Sequence, residues 1–329
     1  MTGRLILSLD YELMWGVRDH RTIADYGDAV LGARQAIPAM LDRFGRGGIR
    51  ATWATVGLLF ARDRDEMLDH APRLRPTYDN MDLSPYAFLE NGIGRNEEED
   101  PWHFGRSLLD RIADTEGQDI GSQTFSHYYC LEPGQTLEQL NADLAAARTI
   151  ADEAGYPMRS IVFPRNQMSD AHIAASVAHG IDVVRGTPSH ILYRSRAQRE
   201  TTLPLRAVRF ADGALPIARG LDFAEPTAWQ GGTDVPASRF LRPYMPKARL
   251  YSWLHVRRVC KEMELAARQG CCYHLWWHPH NMGRNIAENL AQLDTILTCF
   301  QRLRDDFGMQ SCSMTDLALP LIAGRMPEH

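Results

Sequence analysis

Short apolar runs alternate with longer amphipathic stretches along this chain, and that alternation limits the folds open to it. Strand-like runs fall near residues 4–9, 50–56, 118–122, 159–163, 181–184, 271–277 and 310–314. The intervening helical patterns are clearest over 28–46, 137–154, 170–179, 249–269 and 286–307. Gly47-Gly48, Gly155, Gly180, Gly270 and Gly308 sit near helix ends, where a left-handed residue closes a helix. A strand-helix-strand rhythm predicts a parallel sheet with crossover helices. Seven strands is one fewer than a closed eightfold barrel needs.

At 329 residues the chain is long enough for one large α/β domain. The expectation is a single domain over 1–329, with insertions at about 61–117 and 187–248 where the alternation breaks down. Loops that long in a compact domain are commonly lids or small subdomains. The first carries Asn96-Glu-Glu-Glu-Asp100, which reads as a solvated loop tip. The formal net charge of -5 offers no basic field for nucleic acid. Six irregularly spaced cysteines without a Cys-x-x-Cys pair suit neither a disulfide scaffold nor structural zinc. No stretch approaches the ~20 apolar residues that span a membrane, and the first strand begins too early for a signal peptide. The expected location is the cytoplasm.

Four clusters of acid/base or ligand-type residues follow strand-like runs. They are Asp10-Tyr-Glu12, Gln123-Thr-Phe-Ser-His127, Phe163-Pro-Arg165-Asn166-Gln167 and His278-Pro-His280-Asn281. Residues that end different strands of a parallel barrel converge on one face, where such folds keep their chemistry. Asp10 and Glu12 are two apart, so a regular strand points both the same way. One can then bind a cation while the other takes a proton from water; loop capping by Asp10 is the alternative. His127 lies four residues after Gln123, a spacing that with two histidines would supply two metal ligands. An amide oxygen is a poor partner for zinc, cobalt or nickel, so Gln123 weakens any such site. His127 could otherwise be a hydrogen-bonded core residue. His278 beside Trp276 and Trp277 is the candidate acid, while His274 reads as structural. The tryptophans are either barrel packing or faces for a sugar ring.

Taken in order along the chain, these segments resemble the polysaccharide deacetylase superfamily, the NodB-homology fold of carbohydrate esterase family 4. The likeness runs from Leu5-Ile-Leu-Ser-Leu-Asp10-Tyr-Glu12 through Ala51-Thr-Trp-Ala-Thr-Val-Gly57 and Asp119-Ile-Gly-Ser-Gln-Thr-Phe-Ser-His127. It continues through Ile161-Val-Phe-Pro-Arg-Asn166 and His278 to Ser313-Met-Thr-Asp-Leu317. It implies a distorted, incomplete (β/α)7 barrel with long loop insertions, and hydrolysis of an N-acetyl or other amide-like C–N bond. It makes Asp10 the catalytic base, Glu12 and His127 metal ligands with Gln123 at a third ligand position, and His278 the acid. Arg165 resembles the arginine that orients the base and Asp182 the residue that tunes the acid. Arg165 follows its proline where the family usually has it before, and Asp182 lacks the expected tryptophan two residues on. Trp276, Trp277, His280, Asn281 and Asn166 are then the expected substrate contacts.

The resulting expectation is a deacetylase-like hydrolase acting on a small-molecule or lipid-linked carbohydrate, such as a nucleotide- or lipid-linked N-acetyl sugar. Its divalent metal would be zinc, cobalt or nickel, weakened by Gln123, or absent. The alternatives are a metal-independent ureide or cyclic amide hydrolase and a noncatalytic carbohydrate-binding protein that lost its metal site. Oligomeric state is not legible.

Overall fold

The structure, a computed structural model, describes residues 2–188, 190–217 and 225–317. Residues 218–224 of the second expected insertion and 318–329 of the expected domain lie outside these. The strands are β1 Arg4–Tyr11, β2 Ala51–Thr55, β3 Gln118–Ser122, β4 Ser160–Ile161, β5 Val183–Val184, β6 Thr227–Trp229, β7 Gly232–Asp234, β8 Arg239–Phe240, β9 Cys272–Trp277 and β10 Gln310–Cys312. The helices are α1 Ile23–Gly47, α2 Arg64–His70, α3 Tyr86–Asn91, α4 Arg106–Ala113, α5 Leu137–Glu153, α6 Asp170–Ala178, α7 Leu203–Asp212, α8 Arg249–Gln269 and α9 Ile286–Phe307.

The strands form one curled sheet in the order β6-β7-β5-β4-β3-β2-β1-β9-β8, with β10 paired to β1. All pairings are parallel except β6 with β7. The result is an incomplete α/β barrel. Its two ends meet on one stretch of chain: Gly232–Asp234 runs beside β5, and Arg239–Phe240 runs beside β9. Three backbone bonds carry this stretch across the gap, from Val235 to Val184, Ala237 to Gly186 and Ser238 to His274. Part of 187–248 is therefore barrel wall. Strands of two or three residues are too short to show the period-two signal by which strands are read.

Alternation along β1 separates two cores. Leu5, Leu7, Leu9 and Tyr11 pack under the helices with Phe44, Trp53, Tyr273 and Leu275. Ile6 points into the barrel with Ala54, Val162, Val183, Val235 and Cys272. The expected helix-closing glycines behave as such: Gly48, Gly155, Gly180, Gly270 and Gly308 all have positive φ. Thr22 opens α1 with a reciprocal capping box to Asp25. The acidic run is not a free tip. Glu97 pairs with Arg34, and Asp100, only 6% exposed, binds His103.

Candidate functional site

The inward face of β1 continues from Ile6 through Ser8 to Asp10 and Glu12 at the C-terminal end of the strand, and both carboxyl groups are buried. Across the barrel, Arg185 directly follows β5 and points inward to Asp10. Its two terminal nitrogens donate to Asp10 Oδ1 at 2.6 Å and Oδ2 at 2.8 Å. They also reach Ser8 Oγ at 3.0 Å and Asn166 Oδ1 at 3.2 Å, while the guanidinium lies 4.2 Å above the Trp276 ring. This two-pronged contact fixes the plane of the Asp10 carboxylate.

Glu12 is the hub of the neighbouring cluster. Its Oε2 accepts from Gln123 Nε2 at 3.1 Å and lies 3.2 Å from His127 Nε2. Its Oε1 faces His278 Nε2 at 3.6 Å and His280 Nε2 at 3.8 Å. Burial raises the Glu12 pKa to about 7, against the lowering pull of His278. Burial also pushes His127 down to about 3 and holds His280 well below the usual histidine range, so both rings are neutral. His127 adopts a left-handed backbone, φ 58°, which turns the post-β3 loop back toward Glu12. Asp143 secures that loop by accepting from the Phe125 and Ser126 backbone N–H groups.

His278 is three-quarters buried and equidistant, at 3.6 Å, from Glu12 Oε1 and Asp10 Oδ2. Its other nitrogen has a defined partner. The Tyr26 hydroxyl donates to Asn281 Oδ1 at 3.1 Å, which directs the Asn281 amide N–H toward His278 Nδ1 at 3.3 Å. Nδ1 is then the acceptor and Nε2 carries the proton, aimed between the two carboxylates.

Asp10, Glu12, Gln123, His127, His278 and His280 thus come together at the C-terminal ends of β1, β3 and β9. Several expected roles need correction. Arg165 does not orient Asp10; it pairs with Asp19 and Gln198, and Arg185 takes that place. Asp182 precedes β5 at the opposite end of the barrel and pairs with Arg159, so it is not the tuner of His278. Trp277 points outward into the core against Phe44, whereas Trp276 and His278 point inward. It therefore presents no face to substrate. His280, 3% exposed, stacks on His278, and Asn281 acts on His278. Asn166 holds Arg185. Gln123 turns its nitrogen toward Glu12, leaving its oxygen buried without a hydrogen bond. The donors that lie together differ from those expected: Glu12, His278 and His280 each offer a ligand atom within 4.8 Å of the others.

No family model matches the sequence, and no curated protein matches it. Solved structures do. A presumed polysaccharide deacetylase from Mycobacterium smegmatis superposes with a TM-score of 0.61 at 10% identity, covering 100% of this chain and 94% of its own. Puue allantoinase superposes at 0.57 with 9% identity, covering 99% and 91%. A 4-alpha-glucanotransferase from Thermococcus litoralis gives 0.54 at 11% identity, with all of this chain matched to 41% of that one. At these identities the likeness is one of architecture: this chain has the incomplete α/β barrel fold of the polysaccharide deacetylase type.

Proposed function

We propose that this chain is a hydrolase of amide-type C–N bonds acting on an N-acyl sugar, with Asp10 as base and His278 as acid. The observation that carries this reading is the pairing of an arginine-clamped carboxylate with a histidine whose Nε2–H faces it at 3.6 Å. Asp10 takes a proton from a water that attacks the acyl carbon. His278, as the imidazolium with the Asn281 amide turned so that its Oδ1 accepts from Nδ1–H, donates its Nε2 proton to the nitrogen as the C–N bond breaks, giving a carboxylic acid and a free amine. The proton on Asp10 then passes to His278 and restores both groups. Positioned acids and bases of this kind each contribute about 10²- to 10⁴-fold.

The proposed substrate is a nucleotide- or lipid-linked N-acetyl sugar in the cytoplasm, with ureides as the alternative class. No helix among the described residues is long and apolar enough to cross a membrane. The test is amine release from N-acetylated amino sugars, and ring opening of allantoin to allantoate, by the wild type, Asp10→Asn and His278→Ala. Each variant should lose at least ~100-fold in turnover while remaining folded. Near-normal turnover in either variant would show that its role is misassigned. No turnover of any substrate by the wild type would favour the noncatalytic carbohydrate-binding alternative.

A second reading adds a divalent cation, and the clustering of Glu12, His278 and His280 favours it. His280 also keeps a buried Nδ1 without a hydrogen-bond partner. One carboxylate and two imidazoles suit zinc, cobalt or nickel, and the bound ion would polarise the acyl carbonyl. His278 would then need its Nε2 lone pair, which requires the Asn281 amide to turn over. Asp10 alone would carry the proton from water to amine. Chelator treatment with metal analysis separates the readings: amine release by metal-free protein supports the first, and recovery only on adding cation supports the second.

A further inference from the structure

Beside the Asp10–His278 pair a cavity of about 570 Å³ opens, walled where the two meet by Asn166, Trp276 and Phe240. The continuity is direct. Asn166 accepts from Arg185, Trp276 lies under that guanidinium, and the Phe240 ring is 5.6 Å from His278. Away from this apolar wall the lining is arginine-rich, and no Asp or Glu among the described residues lines it. Arg165 is spent on Asp19, and Arg239 on Glu262 and Asp212. Arg194, Arg206, Arg209 and Arg242 have no carboxylate partner among the described residues.

Two of these are braced from behind. Arg209 Nε donates to the Leu192 carbonyl at 2.6 Å, and Arg242 donates to the Arg209 carbonyl at 3.0 Å while lying 5.0 Å over the Phe210 ring. Burial and the nearby Arg196 charge both lower the Arg209 pKa. A concave wall of uncompensated guanidinium groups focuses positive potential, and their planar forks match phosphate oxygens. The volume suits a ligand of sugar-phosphate size.

We infer that this cavity is a phosphate subsite, so that the substrate is an N-acyl glycosyl phosphate or diphosphate. Its sugar lies against Trp276 and Phe240, and its phosphate groups are held by Arg194, Arg206, Arg209 and Arg242. The inference about substrate rests on the hydrolase reading, whereas the anion site does not. The same diphosphate chemistry occurs in a nucleotide-linked and in an isoprenoid-linked sugar.

The test begins with calorimetric titration of inorganic pyrophosphate into the wild type, Asp10→Asn and the double variant Arg194→Gln/Arg206→Gln. Both of these arginines are exposed, so the fold should survive; Arg209→Gln provides a second probe. One site is expected, unchanged in Asp10→Asn and weakened at least ~10-fold in the arginine variants, the scale of lost charge-assisted hydrogen bonds. Amine release is then compared for N-acetylglucosamine, its 1-phosphate, a uridine diphosphate conjugate and a short isoprenoid diphosphate conjugate. Higher kcat/KM for phosphorylated forms, lost in the arginine variants, supports the inference, and the preferred conjugate identifies the source. Unphosphorylated sugar turned over equally well, with no pyrophosphate binding, overturns the inference and leaves the hydrolase reading standing. Pyrophosphate bound through these arginines with no amine released from any substrate supports the anion site and overturns the hydrolase reading.

Discussion

Replacing Arg185 with leucine tests the arrangement at its most exposed assumption. The side chain is fully buried, and Asp10 beside it is 4% exposed, so water cannot replace the two short contacts at 2.6 and 2.8 Å. Removing one partner of such a pair leaves an uncompensated buried charge, a loss of about 3 to 5 kcal/mol. With a urea m-value of roughly 3 kcal/mol/M for a chain of this size, the unfolding midpoint should fall by about 1 to 1.7 M. Arg185→Leu combined with Asp10→Leu removes both charges and should recover a large part of that loss, which distinguishes an unpaired charge from a packing defect. Unfolding followed by far-UV circular dichroism on the wild type, both single variants and the double variant completes the cycle. A midpoint shift below ~0.3 M in Arg185→Leu, or a double variant less stable than either single one, would refute the reasoning.

Acid stability provides an independent check. His255 donates from Nδ1 to the Gly213 carbonyl and accepts the Arg242 backbone N–H at Nε2, while His274 is held between Ser8 and the Val235 and Pro236 carbonyls. Burial lowers these rings to about 4 and about 3, so the folded state keeps them neutral while the unfolded chain protonates near 6.5. Stability is therefore complete above pH 6.5 and should fall as pH drops toward 3, by up to about 1.4 kcal/mol per pH unit for each ring; a flat midpoint between pH 7 and 5 would contradict this. Gly283→Ala should cost about 1 to 3 kcal/mol in a thermal melt, because a Cβ there would lie 1.8 Å from the Ala29 carbonyl of α1. It should also lower turnover by pushing out the turn that carries His278 and His280. Gln123→His, which places an imidazole beside Glu12 and His127, should tighten zinc binding measured by calorimetry; equal affinity in both proteins would show that position 123 is not a ligand position.

Much of the barrel was legible because its long elements obey simple periods. The predicted 249–269 and 286–307 helices match α8 and α9, and the two-residue spacing of Asp10 and Glu12 did place both carboxyl groups on one face. The same rule, carried along β9, separates Trp277 from Trp276 and His278 and would have removed Trp277 from the substrate contacts. Arg185 was harder to find. β5 has only two residues, and an arginine following Val-Val before a glycine is an ordinary loop opening in sequence. Its meaning comes from Asp10, which is 175 positions away. The metal-type cluster was missed for a related reason: the local Gln123 to His127 spacing drew attention, whereas Glu12, His278 and His280 meet only through the pairing of β1 with β9.

That pairing also bears on how the protein comes into being. β1 can pair early with β2, yet its other neighbours β9 and β10 lie beyond residue 270, so a nascent polypeptide leaves the far edge of this apolar strand unpaired through most of its synthesis. Contacts so distant in sequence carry a high loop-closure cost and form late, with the strand edge open to aggregation meanwhile. Asp10 and Glu12 ride on this last-completed strand. A ribosome-bound fragment ending before β9 therefore has no route to an assembled site, and synthesis of roughly the last fifth of the chain becomes the step at which the barrel and its buried carboxylates are completed.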